Sequence, residues 1–76
     1  MKLKDLIDVL GDNVPLKVYI AGSNNINTIG PATYLCGTYS NSEILINYYE
    51  TKVVKLDMIA IDGKCVLEVF IYTHFI

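Results

Sequence analysis

The chain has no arginine and no tryptophan, only two cysteines, and a single histidine. The shortages of arginine, cysteine and histidine each bear on function. Arginine is the preferred residue for clamping phosphate and for bidentate reading of guanine. Without it, and with a net charge of −2 and a pI near 5.0, the chain has no basic footprint for nucleic acid. The Ile, Asn, Lys and Tyr bias is also that of an AT-rich genome, which depletes arginine whatever the function. A charge of −2 is equally too small for a polyanionic mimic of DNA. No apolar run approaches the ~18 residues of a membrane helix. Asp5 and Asp8 interrupt the first apolar segment, so it does not read as a signal peptide. With no N-x-Ser/Thr site and its cysteines far apart, at Cys36 and Cys65, the chain is expected in the cytoplasm.

The catalytic search is empty for the same reason. His74 stands near the chain end, a poor place to preorganise a base. There is no Gly-x-Ser-x-Gly, Cys-x-x-Cys or His-Glu-x-x-His, and no carboxylate pair apart from Asp57 and Glu68. No nucleophile has an evident base partner. The expectation is a non-enzyme with no metal and no cofactor.

What is present is apolar. A hydrophobic content of 53% against 18% charged excludes disorder. Residues 1–76 read as one small domain, of a size that buries only about 60% of its unfolded surface. The strongest local signal is Asp62-Gly63 between alternating hydrophobics over Lys52–Thr73. A type I′ hairpin turn needs positive φ at both central residues, and Asp-Gly supplies it. A two-residue loop sets Ile61 opposite Lys64. One face then pairs Ala60 with Cys65, Met58 with Leu67, Leu56 with Val69 and Val54 with Ile71. The other pairs Ile59 with Val66, Asp57 with Glu68, Lys55 with Phe70 and Val53 with Tyr72. A slip of one residue would oppose Leu56 to Glu68 and mix charge into both faces. Asp57 opposite Glu68 is a like-charge pair that Lys55, a diagonal neighbour, can relieve. The outer face carries Val53, Ile59, Ile61, Val66, Phe70 and Tyr72, too apolar to face water.

Upstream, Leu3, Leu6, Ile7 and Leu10 form the stripe of an amphipathic helix over Lys2–Leu10, with Gly11 placed for a left-handed cap. Asp5, Asp8 and Asp12 fall along its polar face. Pro15 opens a strand, Leu16–Ala21. Gly22 to Pro31 is a long polar loop for so small a domain. Its Gly22, Ser23, Asn24, Asn25, Asn27 and Thr28 are candidate ligand contacts, although the loop lacks the Lys-Ser/Thr ending of a phosphate cradle. Ala32–Tyr39 reads as the return strand, with Gly37 a candidate bulge. Cys36 and Cys65 read as small buried apolar residues. Ser40-Asn41-Ser42-Glu43 has capping-box form, which makes Asn41–Glu50 a short helix. A strand is the rival, because Ile44, Ile46 and Tyr48 also alternate.

The sum is an α+β domain, α-β-β-α-β-β, with an antiparallel sheet and a C-terminal hairpin. Two short helices can cover one face of it. The other face is then expected to bind a host protein or a second copy, a homodimer being the commonest solution. Covering even ~400 Å² would contribute on the order of 10 kcal/mol gross, before association costs. Phe70→Ser with Tyr72→Ser is expected to abolish association and leave the fold intact.

The opening Met1-Lys2-Leu3-Lys4-Asp5-Leu6-Ile7, and the run Tyr49-Glu50-Thr51-Lys52-Val53-Val54-Lys55-Leu56 followed by Val66-Leu67-Glu68-Val69, are similar to segments of short accessory proteins of prophages and mobile elements in low-GC Gram-positive bacteria. The resemblance covers both ends of the chain and not Asn24–Pro31. It implies a non-catalytic phage protein, of a kind that includes inhibitors of bacterial defence systems such as CRISPR nucleases. Two readings stand. One is a protein-binding inhibitor using the outer sheet face with Tyr19, Tyr34, Tyr39 and Tyr72, tyrosine being suited to interfaces. The other is a homo-oligomer that sequesters a small molecule or nucleotide at a seam lined by Asn24–Asn27.

Overall fold

The computed structural model describes residues 1–22 and 32–72. The elements are α1 (Leu3–Val9), β1 (Pro15–Ile20), β2 (Thr33–Tyr39), a 3-10 helix (Glu43–Tyr48), β3 (Lys52–Ile61) and β4 (Lys64–Tyr72). The strands make one sheet in the order β2-β1-β4-β3. The fold is α+β, but the expected α-β-β-α-β-β order with an antiparallel sheet is not what forms. The second helical segment is 3-10 rather than α, and the sheet is mixed, because β1 runs parallel to β4. The sequence-local pairs, β1 with β2 and β3 with β4, are antiparallel. Apolar burial selects this order. Leu16 and Val18 of β1 and Val69 and Ile71 of β4 are all 2% exposed or less, and adjacency puts them at the middle of the sheet.

One face of those central strands carries the main core. Leu3 and Leu6 from α1 and Leu45 from the 3-10 helix pack there against Leu16, Val18, Val69 and Ile71. The first turn of α1 is tied to the start of the last hairpin. The Leu3 and Lys4 amides donate to the carbonyls of Thr51 and Tyr49 at 2.9 and 3.0 Å, and the Lys2 amide donates to Asp5 Oδ2 at 3.1 Å. These bonds satisfy donors that a helix start otherwise leaves open. The left-handed residue after α1 is Asn13 (φ 60), not Gly11, so the expected glycine cap is absent. Asparagine tolerates that conformation better than other residues with a Cβ.

Ser40 explains why its Ser-x-x-Glu pattern caps nothing. It is 3% exposed, and its hydroxyl accepts from the Val14 amide and donates to the Gly11 carbonyl. The oxygen expected to start a helix instead closes the turn between α1 and β1. The segment that follows winds as a 3-10 helix, whose repeat of three puts Leu45 and Tyr48 on the core side. The β-branched Ile44 and Ile46 stay exposed.

The hairpin turn forms as expected, with positive φ at both Asp62 (51°) and Gly63 (78°). The seven pairs from Ile61↔Lys64 to Lys55↔Phe70 have the expected register. It then shifts. Val53, not Val54, lies opposite Ile71, and Lys52 lies opposite Tyr72. Val54 is the extra residue of a bulge, which turns Val53 toward the main core and Val54 toward the outer face. In β2 the irregularity falls between Tyr34 and Cys36, not at Gly37. Gly37 has another role: the Tyr34 hydroxyl lies 2.9 Å from where its Cβ would be.

Nothing lies within 4 Å of a Cβ built on Gly63, so its substitution tests backbone conformation alone. Gly63→Val is expected to cost about 1–2 kcal/mol, the penalty of a side chain in the left-handed region. That is a drop in Tm of roughly 5–10 °C for a domain of this size. Thermal unfolding followed by circular dichroism measures it, and a melt within a degree or so of the parent would rule out the strained turn.

Candidate functional site

Two surfaces of the sheet compete for the role of binding face. The outer face, away from α1, was the expected one. There a row of register partners crosses all four strands. Tyr34 of β2 lies opposite Tyr19 of β1, Tyr19 opposite Phe70 of β4, and Phe70 opposite Lys55 of β3. The Tyr19 and Phe70 rings stack at 4.9 Å between centroids and 13° between planes, and Tyr34 meets Tyr19 edge-on at 5.5 Å. Lys55 Nζ sits 5.4 Å from the Phe70 centroid, within cation–π range. Ala21 and Val54 pack on Phe70, with Tyr19 and Tyr72 beside them.

The like-charge pair of the hairpin is resolved within this row's neighbourhood. Lys55 Nζ bonds Asp57 at 3.2 Å rather than Glu68. Glu68 instead accepts from the Tyr19 hydroxyl at 2.9 Å. That bond, with a smaller contribution from burial, holds the Tyr19 phenol above the ordinary tyrosine range.

The residues expected on the outer face therefore divide. Phe70 is only 9% exposed and belongs to a second small core. Val53 packs against the main core on the other side. Ile59, Ile61, Val66 and Tyr72 remain on the outer face and are half-buried. Of the tyrosines, Tyr34 and Tyr39 are each 54% exposed, whereas Tyr19 is held by its neighbours. Gly22 is exposed; the remaining candidate ligand residues, Ser23, Asn24, Asn25, Asn27 and Thr28, lie outside the described residues, as does His74.

The second surface was not anticipated, and it is on the helix side. The main core covers the central strands, but the far half of the last hairpin projects past it. Leu56 is 41% and Met58 66% exposed, and Ala60 and its pair partner Cys65 are exposed beside them. Length explains this. The seven residues of α1 reach about 10 Å at 1.5 Å each, whereas the ten of β3 reach about 33 Å. The sequence signal was available in the Leu56/Met58/Ala60 alternation. The same alternation fits a buried face, and only the short reach of α1 leaves it open.

Beside this strip, Met1, Val53, Val54, Lys55 and Leu56 line an apolar cavity of about 270 Å³ at the outer edge of β3. It forms because the Met1 carbonyl accepts the Val53 amide at 2.9 Å, laying the first residues along the strand. Lys2 and Lys4 fix this arrangement from the surface through Glu50, at 2.7 and 3.2 Å, and both hold its carboxyl below the usual carboxylate range. Among the described residues no three His, Cys, Asp or Glu side chains are grouped to hold a metal ion. Among them, too, no helix is long and apolar enough to cross a membrane. Cys36 is half-buried, and burial pushes its thiol up; Cys65 is exposed, against expectation, and both are free.

No protein-family model matches the chain, and no curated protein or solved structure is similar to it.

Two measurements follow from the outer row. Phe70→Ser is expected to destabilise by about 3 kcal/mol, as the loss of a buried ring does, rather than leave the fold intact. Urea unfolding of the single variant decides between a core and a contact residue. In an alkaline titration followed by phenolate absorbance, one ionisation is expected above the ordinary tyrosine range and is expected to vanish in Tyr19→Phe. Because the raised pKa belongs to the folded state, stability from this bond is full below the unfolded value near 10. It is lost as pH rises through the folded one.

Proposed function

We propose that the chain is a non-catalytic binding protein that acts by occupying a surface of another protein. Its working surface is the far half of the last hairpin: the exposed row Leu56, Met58 and Ala60 with Cys65. The observation that carries this reading is the 66% exposure of Met58, with Leu56 at 41% on the next step of the same row. Methionine in such a place suits a surface that adapts to its target. The target class comes from the likeness to mobile-element accessory proteins. A phage protein of this kind works in the host cytoplasm as an inhibitor of a defence system, with a CRISPR nuclease as the first target to try.

The test is direct. Purified chain added to a guide-loaded CRISPR nuclease from a low-GC Gram-positive host is expected to lower the fraction of DNA cleaved in proportion to the amount added. Leu56→Ser with Met58→Ser is expected to lose that inhibition while its circular dichroism stays unchanged. No loss of cleavage, together with no gain in phage plating on hosts carrying other defence systems, would sink the inhibitor reading.

A further inference from the structure

The open edge of β3 has two fixed ends. At the start of the strand Met1 already takes the Val53 amide, and the Val54 bulge breaks the run; at the other end the chain turns at Asp62-Gly63. Between them Lys55–Ile61 is an unbroken stretch of seven residues, and among the described residues no strand pairs with its outer side. The opposite edge, β2, is interrupted in its middle between Tyr34 and Cys36. So β3 presents the sheet's longer unbroken edge.

Which backbone groups point outward follows from the turn. A two-residue loop makes Ile61 and Lys64 a hydrogen-bonded pair, and bonded pairs then alternate along an antiparallel ladder. Ile59, Asp57 and Lys55 therefore bond inward to β4. Leu56, Met58 and Ala60 direct their amides and carbonyls to the free edge. These are the three residues whose side chains form the exposed apolar row. Natural edges are commonly guarded by charges, prolines or bulges. Here Lys55, Asp57 and the Val54 bulge guard the start of the stretch, whereas Met58–Ile61 carries no charge and no proline.

We propose that this edge pairs with the same edge of a second copy, antiparallel, about a two-fold axis at Met58, extending the sheet across the dimer. The register is selected by elimination. An axis at Asp57 opposes two like carboxylates. An axis at Leu56 runs the ladder into the Val54 bulge and into the partner copy's Met1. An axis at Ile59 shortens the ladder and brings the turn residue Asp62 opposite Leu56. The axis at Met58 uses all seven open residues. It sets Met58 against Met58 and Leu56 against Ala60 in both directions, so the apolar row is continuous from one copy to the other. It also brings Ile61 of each copy opposite Lys55, beside the cavity lined by Met1, Val53, Val54 and Leu56. A half-buried apolar side chain then meets an apolar recess.

The dimer uses the surface invoked for the binding function, and so rests on that reading of the hairpin, but its test needs no host protein. Sedimentation equilibrium of the full chain over a range of concentrations is expected to approach twice the 8.5 kDa chain mass. Met58→Lys, at an exposed position, is expected to stay at the single-chain mass throughout, with unchanged circular dichroism. Register is read by cross-linking in a Cys65→Ser background. Bonded partners lie about 5.5 Å apart between Cα atoms, within disulfide reach. Met58→Cys is therefore expected to give a covalent dimer on mild oxidation, and Asp57→Cys markedly less. A parent that is monomeric at every concentration, a dimer indifferent to Met58→Lys, or stronger cross-linking from Asp57→Cys than from Met58→Cys would each overturn the proposal. A chain that dimerises in this way yet inhibits nothing removes the functional reading and leaves the dimer. A monomer that inhibits does the reverse.

Discussion

The parallel contact between β1 and β4 is the constraint from which the rest of the architecture follows. Val18 opposite Val69 has both side chains fully buried, and the two residues stand 51 positions apart in the chain (69 − 18). Parallel strands cannot be joined by a tight turn. The chain between them must leave by β2, cross one face and return through β3. The 3-10 helix makes that crossing, and α1 packs beside it on the same side. One face is therefore helical by topology, and the two antiparallel hairpins end up flanking a central parallel seam. Long-range pairing of this kind must meet the loop-closure entropy before it is rewarded, so the seam carries a larger ordering cost than the hairpin.

With both helical segments committed to one side, the outer face has to be closed from within. Tyr34, Tyr19, Phe70 and Lys55 do this as register partners on successive strands. Aromatic neighbours at these separations add about 0.5–1.5 kcal/mol per pair beyond their buried area. The row also has an electrostatic consequence. Lys55 serves Asp57 and the Phe70 ring together, and the Tyr19 hydroxyl serves Glu68. Two carboxylates that face each other across β3 and β4 thus acquire separate partners without a second cation.

The sequence made this hairpin readable because two independent signals agreed there, the Asp-Gly turn and the apolar pairing from Ala60–Cys65 to Leu56–Val69. It stopped being readable at Val53-Val54. Both residues are β-branched and apolar, so either can face the core, and only the bulge decides. Phe70 lies on the face the register expects, but buried in a small core rather than open to solvent. Its pair partner Lys55 was legible, but its other neighbour, Tyr19, arrives through the parallel seam, which leaves no local mark in the chain. Ser40 illustrates a different failure. The Ser-x-x-Glu spacing was present, yet the hydroxyl had a stronger claim on it from the Val14 amide and Gly11 carbonyl, 26 and 29 positions away. Between residues 41 and 50 the segment is helical over Glu43–Tyr48, but as a 3-10 rather than an α-helix, because a repeat of three satisfies Leu45 and Tyr48 while mimicking both periodicities over so short a span.

The exposed row on β3 gains its meaning from comparison with the other face of the same strand. A single exposed leucine says little about function, since much of any protein surface is apolar. Here the outer face of β3 places Lys55 and Asp57 where the strand meets water, and the turn ends on Lys64. The chain does supply charge to this hairpin, and supplies it on one side. On the other side, beyond the reach of a helix about 10 Å long, successive positions hold Leu56, Met58 and Ala60 instead. Those are also the positions whose backbone is free at the edge. A strand that merely projected into solvent would be safer with lysine at any of the three, because an open apolar edge invites aggregation. Three successive apolar positions on an open edge, with the charge kept to the other face, are the feature on which the proposed association rests.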